Sequence, residues 1–331
     1  MAVTIAEIQK LRKLTGAGMM DCKKALEASE GDTQKAIEII REKGQAVAAK
    51  RSDREASEGC VLVKKGEGFA AIIALKCETD FVANNADFVK LTQDIIDAAV
   101  AAKAKSIEEV KSLTIGNETV EAAIVARSGI TGEKTELDGY NYLEGDNIST
   151  YDHMGRHTLC TMVQLNKENE DAAHKIAMQV AAMKPIALDE ASVSDDVKKT
   201  EYEVAVQKTK DEQVEKAVVN ALKKAGINAN LVDSDDHIES NMAKGWLTKE
   251  EADKAKEIKK AVAEEKAANL PEQMIQNIAK GRLAKFFKEN CLVDQEFQFG
   301  DDNKESVSAW LKKQDKELKI LEYRRFTLAA E

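Results

Sequence analysis

A phosphate cradle is the first chemistry that the residue pattern suggests. Gly129-Ile-Thr-Gly-Glu-Lys-Thr135 sets glycines ahead of a Lys-Thr pair, as a loop wrapped around phosphates requires. Glu133, however, separates the second glycine from the lysine, and an acidic side chain in such a cradle repels its ligand. A hairpin or loop turn is the better expectation. Metal chemistry fares no better. The four histidines, His153, His157, His174 and His237, are scattered. His153 and His157 lie four apart, but their neighbours are Gly155 and strand-like residues, not a helix that would align both rings. Asp233-Ser-Asp-Asp236 is expected as a solvated loop. The five cysteines (Cys22, Cys60, Cys77, Cys160, Cys291) are odd in number and never spaced Cys-x-x-Cys, which argues against a disulfide framework and a cysteine-rich metal site. A Gly-x-Ser-x-Gly nucleophile elbow is absent too. No catalytic set, metal or cofactor is expected. The pattern points to a binding or regulatory protein and not to an enzyme.

One juxtaposition remains. In Cys77-Glu-Thr-Asp-Phe-Val-Ala83, Asp80 and Phe81 stand side by side where a strand gives way to a helix. Upstream, Phe69–Leu75 is a short apolar run of strand character; downstream, Phe88, Leu91, Ile95 and Ala99 recur at helical spacing. A phenylalanine at such a junction is either a plug tucked under the edge or a probe held out to a partner. Local pattern leaves both open.

The elements around the junction set the architecture. Residues 1–44 are expected as a compact three-helix module. Thr4 caps a first helix with Ile5, Ile8, Leu11 and Leu14 on its apolar face, Gly16-Ala17-Gly18 breaks it, and Asp21 caps a short second helix. A third helix from Thr33 is expected to stop at Gly44. Residues 45–57, rich in Ala, Lys, Arg and Ser, suit an exposed linker. Val61–Val63 and Phe69–Leu75 flank a hairpin signal, and a helix over 87–102 follows. A similar unit recurs as a strand at 158–165 and a helix at 171–183 ended by Pro185, a diverged strand–helix repeat. Core subdomains are thus drawn at 58–145 and 146–331. The second carries an inserted helical arm at about 195–290, polar enough to project into solvent with a narrow packing stripe. Asn269 and Pro271 fit a fresh cap and first turn there. Phe297–Phe299 and Leu318–Tyr323 are expected as strands returning to an antiparallel sheet. The fold class is α+β.

Composition narrows the functional classes. The 331 residues suffice for more than one domain. Charged residues make up 33%, aromatics 5% and prolines number two, which disfavours an all-β sandwich. A net charge of −10 disfavours non-specific binding to nucleic acid or acidic membranes, although Lys and Arg at 50–65 and 280–288 leave a local basic patch open. The N-terminus lacks the pattern of a secretory signal, and no apolar run reaches the roughly 20 residues needed to span a bilayer. The expected setting is reduced and cytoplasmic, with no membrane.

Two stretches carry a family resemblance. Leu11-Arg-Lys-Leu-Thr-Gly-Ala-Gly-Met-Met-Asp-Cys-Lys-Lys-Ala-Leu26, with Gly31-Asp32 after it, resembles the N-terminal signature of bacterial elongation factor Ts, and Cys77–Ala83 resembles its second signature at the expected distance. The likeness extends more loosely over nearly the whole chain. It implies a guanine-nucleotide exchange factor for elongation factor Tu, the GTPase that delivers aminoacyl-tRNA, acting by speeding GDP release. In that family the Asp-Phe pair docks on the GTPase and the Phe wedges near the nucleotide's magnesium. The resemblance thus assigns Asp80 as polar contact and Phe81 as wedge, with Thr79 and Val82 beside them. It also implies a ubiquitin-associated-like N-terminal module with Arg12, Met19, Met20 and Lys23 at the interface. His153 is a further contact, carried by Tyr151-Asp-His-Met-Gly-Arg156.

Three departures qualify it. The arm is longer than in many members, with 228–247 as extra sequence. The loop after Ala126 lacks a hydrophobic residue found in some members, and the chain stops soon after Tyr323-Arg-Arg-Phe326, without a C-terminal helical module that others carry. The rival readings are a scaffold without exchange activity and an RNA-binding accessory protein. A homodimer through the arm or the sheet also stays open.

Overall fold

The computed structural model describes residues 3–300, 302 and 304–330. In chain order the elements are α1 (Ile5–Thr15), α2 (Met19–Ala28), α3 (Thr33–Lys50), β1 (Glu58–Gly66), β2 (Phe69–Cys77), α4 (Asp80–Ala83), α5 (Ala86–Ala102), α6 (Ile107–Ser112), β3 (Thr114–Ile115), β4 (Glu118–Thr119), α7 (Val120–Thr131), β5 (Thr135–Glu144), β6 (Ile148–Asp152), β7 (Leu159–Leu165), α8 (Glu170–Met183), α9 (Asp195–Lys224), α10 (Asp235–Ala243), α11 (Lys249–Ala268), α12 (Glu272–Asn290), α13 (Val307–Gln314) and β8 (Ile320–Thr327). Helices and small antiparallel sheets are mixed, so the α+β class holds. No helix among the described residues is long and apolar enough to cross a membrane.

β2 explains why residues 69–75 read as one unbroken apolar run. It is the middle strand of an antiparallel sheet ordered β1-β2-β5. Phe69, Ala71, Ile73 and Leu75 face α5, packing with Phe88, Ile95, Ile96 and Ala99. Ala70, Ile72 and Ala74 face the other way, onto Ile148, Cys160 and Met162 of a second antiparallel sheet ordered β6-β7-β8. A strand covered on both sides has no polar face to alternate with. The two sheets meet closely at Gly139, opposite Ala74 in the β2–β5 ladder, where a Cβ would stand 2.4 Å from Cε2 of Phe326. The second sheet has its own outer helix, α8, with Ile176, Ala177 and Val180 buried. Each half is therefore a hairpin backed by a helix.

The N-terminal module departs from expectation in its details. Thr4 caps α1 in a reciprocal box with Glu7, but only Ile8 and Leu11 are buried, while Ile5 and Leu14 are exposed. Three short helices enclose too little volume to cover a wider stripe. Gly18, not Asp21, caps α2; Asp21 instead pairs with Lys43 of α3. Most consequential, α3 does not stop at Gly44. It continues to Lys50, so the expected linker over 45–57 is helical in its first part. Its backbone at Gly44 is a contact surface for α7: a Cβ on Gly129 of α7 would lie 2.4 Å from the Gly44 Cα.

One further expectation fails for a reason in hydrogen bonding. Residues 297–299 form no strand. The pairing is cut to a single bridge between Glu296 and Ser306, flanked by Phe297 N–H donating to Glu305 O at 2.7 Å, while the buried Gln179 side chain donates to Glu296 O at 3.1 Å and accepts from Gln298 N–H at 3.0 Å. Only the last segment, β8, joins the sheet. The polar helices α9 to α12 make up a separate compact unit, Asp189–Asp294. Within it α9 packs on α11 and α12, and residues 228–247 close a small core of Leu222, Ile227, Val232, Ile238 and Leu247. Asn269 ends α11, and Pro271 precedes α12 without a side-chain cap.

The crossing of α3 and α7 predicts an asymmetry. Gly129→Ala must push two backbones apart, costing about 1–3 kcal/mol of overpacking against roughly 1 kcal/mol of helix propensity gained. A Cβ on Gly44 meets nothing nearer than Val125 O at 3.4 Å. Thermal unfolding should show a drop in Tm for Gly129→Ala and a rise for Gly44→Ala, which gains the same propensity without the clash; equal effects would contradict the close approach.

Candidate functional site

The turn at 77–83 is built by a division of labour among neighbouring side chains. Val82 and Ala83 pack into the core between β2 and α5, which anchors the one-turn helix α4. Helical spacing then sends the preceding pair outward. Phe81 is 85% exposed, and Asp80 beside it is exposed as well. The ring is therefore not a plug under the edge of the core. Among the described residues nothing bonds the Asp80 carboxylate, while its carbonyl accepts from Asn84 Nδ2 at 2.8 Å. Thr79 caps the turn, its hydroxyl accepting from Val82 N–H at 3.4 Å.

Two carboxylates hold this turn to the rest of the fold. Glu133, just past the end of α7, accepts from the Thr79 N–H at 3.1 Å and the Thr79 hydroxyl at 2.7 Å. Glu78 accepts from Lys134 N–H at 2.7 Å, and from Arg51 Nη1 with its two oxygens at 3.1 and 2.9 Å. Arg54 Nη1 lies 3.4 Å from it. Burial pushes the Glu78 carboxyl up, but the Lys134 N–H and the two guanidinium groups outweigh it and hold the net pKa below the ordinary glutamate value. The buried Cys77 thiol donates to Thr79 O at 3.2 Å, and burial, aided by the Glu133 charge, raises it to about 12. All five cysteines are buried and free. No group of three His, Cys, Asp or Glu that could hold a metal occurs among the described residues.

The remaining sequence candidates lie elsewhere on the same compact unit. Met19 and Met20 open α2 at 44% and 62% exposure, Arg12 of α1 is exposed, and Lys23 is exposed and paired with Glu27 at 3.7 Å. Exposed Ile5 and Leu14 on α1 add apolar surface that the periodicity had assigned to the core. His153 sits in a tight turn after β6, its Nδ1 3.0 Å from the Tyr151 hydroxyl. His157 is held separately, 2.5 Å from Asp152. The two rings therefore do not converge. Gly129–Thr135 is no phosphate loop. It holds the last turn of α7, closed by Gly132 in the left-handed region, and the step into β5 at Thr135, and the helix end presents carbonyls where a phosphate needs N–H donors. Sequence reading missed Arg51 and Glu133 as supports, because the fold brings them to the turn from distant segments; Glu78 lies within the motif, but its partners Arg51 and Lys134 do not.

Comparison with known proteins follows the same outline. The family model described as "Elongation factor TS" matches residues 78–233 and 221–330. Elongation factor Ts of Bacteroides fragilis is 67% identical over 332 residues, with all of both chains covered. That of Parabacteroides distasonis is 63% identical, and that of Azobacteroides pseudotrichonymphae 35%, again over the full length of both chains. The chain belongs to the elongation factor Ts family. It is thereby a translation elongation factor, and the family match opens at Glu78, so it includes the whole exposed turn.

Glu78 makes the support of this turn sensitive to acid. Its folded pKa is depressed, so it stabilises the fold above pH 4.5, the ordinary glutamate value, and that stabilisation fades as pH falls through the lower folded value. Glu78→Gln should therefore lower Tm at pH 7, and the gap to the wild type should close as pH drops below 4.5. A gap that persists undiminished at acid pH would rule out the charge as its source.

Proposed function

We propose that this protein is a guanine-nucleotide exchange factor for elongation factor Tu, and that Phe81 is the group it inserts near the bound nucleotide and its magnesium. The observation that carries the proposal is an aromatic ring, 85% exposed, on a one-turn helix whose other apolar residues are anchored in the core. An isolated exposed phenylalanine is costly in water, and it gains by burial in a partner. No covalent bond is made or broken, and no cofactor is needed. Asp80, with its free carboxylate, supplies the polar contact beside the ring, and Thr79 and Val82 hold the pair in place. Arg12, Met19, Met20 and Lys23 form a second contact on the N-terminal module. Methionine side chains there give an adaptable apolar surface. His153 is a third, peripheral contact.

Thermodynamic linkage limits how strong such a device can be. A factor that weakens GDP binding by some ratio is itself weakened by GDP in the same ratio. Burying one phenylalanine contributes about 1.5–3 kcal/mol, or roughly ten- to hundredfold in affinity. That is enough to bias nucleotide release and small enough for incoming GTP to reverse.

Release of fluorescent GDP from the cognate elongation factor Tu tests this. The wild-type chain should accelerate release, and Phe81→Ala should lose about ten- to hundredfold of the acceleration, matching the ring's burial, while its unfolding profile stays close to wild type. If the wild type binds the GTPase without accelerating release, the chain is a scaffold. If Phe81→Ala is as fast as the wild type, the wedge is elsewhere.

A further inference from the structure

The structure assigns Glu133 a role in exchange that its place in the sequence hides: we infer that it is the positioning residue that holds Phe81 in its acting orientation. The inference rests on Phe81 being the group that acts on the GTPase. Thr79 has two donors, its N–H and its hydroxyl, at the entry to α4. Glu133 accepts both, at 3.1 and 2.7 Å. With its proton committed to Glu133, the hydroxyl can turn only a lone pair toward Val82 N–H, which is the geometry a cap requires. Without Glu133 the hydroxyl is free to rotate, and a single helical turn has too few internal bonds to persist on its own.

The clamp is reciprocal. Glu133 reaches from the α7–β5 junction to the backbone of Thr79, and Glu78 reaches from the β2–α4 junction to the backbone of Lys134. Each junction thus satisfies a donor of the other. Glu133 is itself fixed, because Gly132 closes α7 and the Glu133 N–H donates to Thr131 Oγ1 at 3.3 Å. Three residues before Gly132 is Gly129, where α3 is pressed against α7. The ring's direction is therefore set by the rigid end of a core helix and not by the turn alone. An exposed group that must enter a partner in one orientation gains from such support, since less freedom is lost on binding.

The test compares Glu133→Ala, Thr79→Val and Phe81→Ala, with the double variant Glu133→Ala/Phe81→Ala, in full-length protein. In release of fluorescent GDP from the cognate GTPase at saturating factor, Glu133→Ala should be about tenfold slower than the wild type, the scale expected for a misplaced functional group. In the Phe81→Ala background it should add less than about twofold, because residues acting as a unit are not additive. A structural role unrelated to Phe81 predicts equal factors in both backgrounds and would overturn the assignment, as would a wild-type rate for Glu133→Ala. Thr79→Val keeps the volume and removes the bridging hydroxyl. It should reproduce the Glu133→Ala defect, and it decides the matter if Glu133→Ala does not fold. A second readout needs no partner. Hydrogen–deuterium exchange of the Val82–Asn84 amides in the free protein should be about tenfold faster in Glu133→Ala. Unchanged exchange there sinks the clamp even if Phe81 proves to be the wedge. Faster exchange alongside a wild type that fails to accelerate release leaves the clamp standing and sinks the exchange role.

Discussion

Two helices from separate parts of the chain approach at Gly44 and Gly129 more closely than a side chain on Gly129 would allow, and the supports of the Phe81 turn are arranged from that contact. Past Gly44, α3 runs on to Arg51, which meets Glu78; past Gly129, α7 ends at Gly132, and Glu133 meets Thr79. Both helices thus deliver a charged or polar support to the same four-residue turn. A side chain on Gly129 would separate the backbones, and the error would be carried along both helices to their ends. The geometry of Phe81 is therefore a property of the packing beneath it as much as of its own signature.

This arrangement reconciles two demands that normally conflict. A ring meant for a partner must stay in water, yet an exposed aromatic on a mobile loop would fold back onto the nearest apolar surface or bind with a large loss of freedom. The turn meets both by separating tasks residue by residue. Val82 and Ala83 bury, Thr79 is bonded on both of its donors, and only Asp80 and Phe81 are left outward. Charge does the holding, and it does so at the edge of the core, where Glu78 is only 12% exposed and its partners are guanidinium groups and a backbone N–H. A fully exposed ion pair would contribute little there.

Much of the fold was legible in the sequence because the signals were local. The unbroken run at 69–75, the helical spacing from Phe88 to Ala99 and the second strand and helix before Pro185 all correspond to elements of the structure. The errors arose where a tertiary partner overrode a local rule. Gly44 looked like a helix stop, since glycine is a poor helix former, but a glycine on the opposing helix made it a contact surface. Ile5 and Leu14 fit an apolar stripe that the small module had no room to bury. Phe297 and Phe299 looked like a strand, but the pairing stops at one bridge between Glu296 and Ser306, and the buried amide of Gln179 takes the Gln298 N–H that would have extended it. The Asp80–Phe81 pair itself was legible as a motif, whereas its supports were not, since Arg51 lies 27 residues and Glu133 54 residues from their partners.

Glu133 shows how far a single residue's meaning depends on direction. In Gly129–Thr135 it counted only as the flaw in a phosphate loop, an acid where an anion should bind. The structure adds a stronger objection, because the segment closes a helix instead of opening one, so its free backbone groups are acceptors and the local field already disfavours an anionic ligand. An acidic side chain just past such an end has no reason to fold back on its own helix, and it turns outward to donors on a neighbouring element. Thr79, at the start of the next helical turn in space, offers two. The end of one helix and the beginning of another are thus complementary, one short of donors and the other short of acceptors, and Glu133 is the bridge between them.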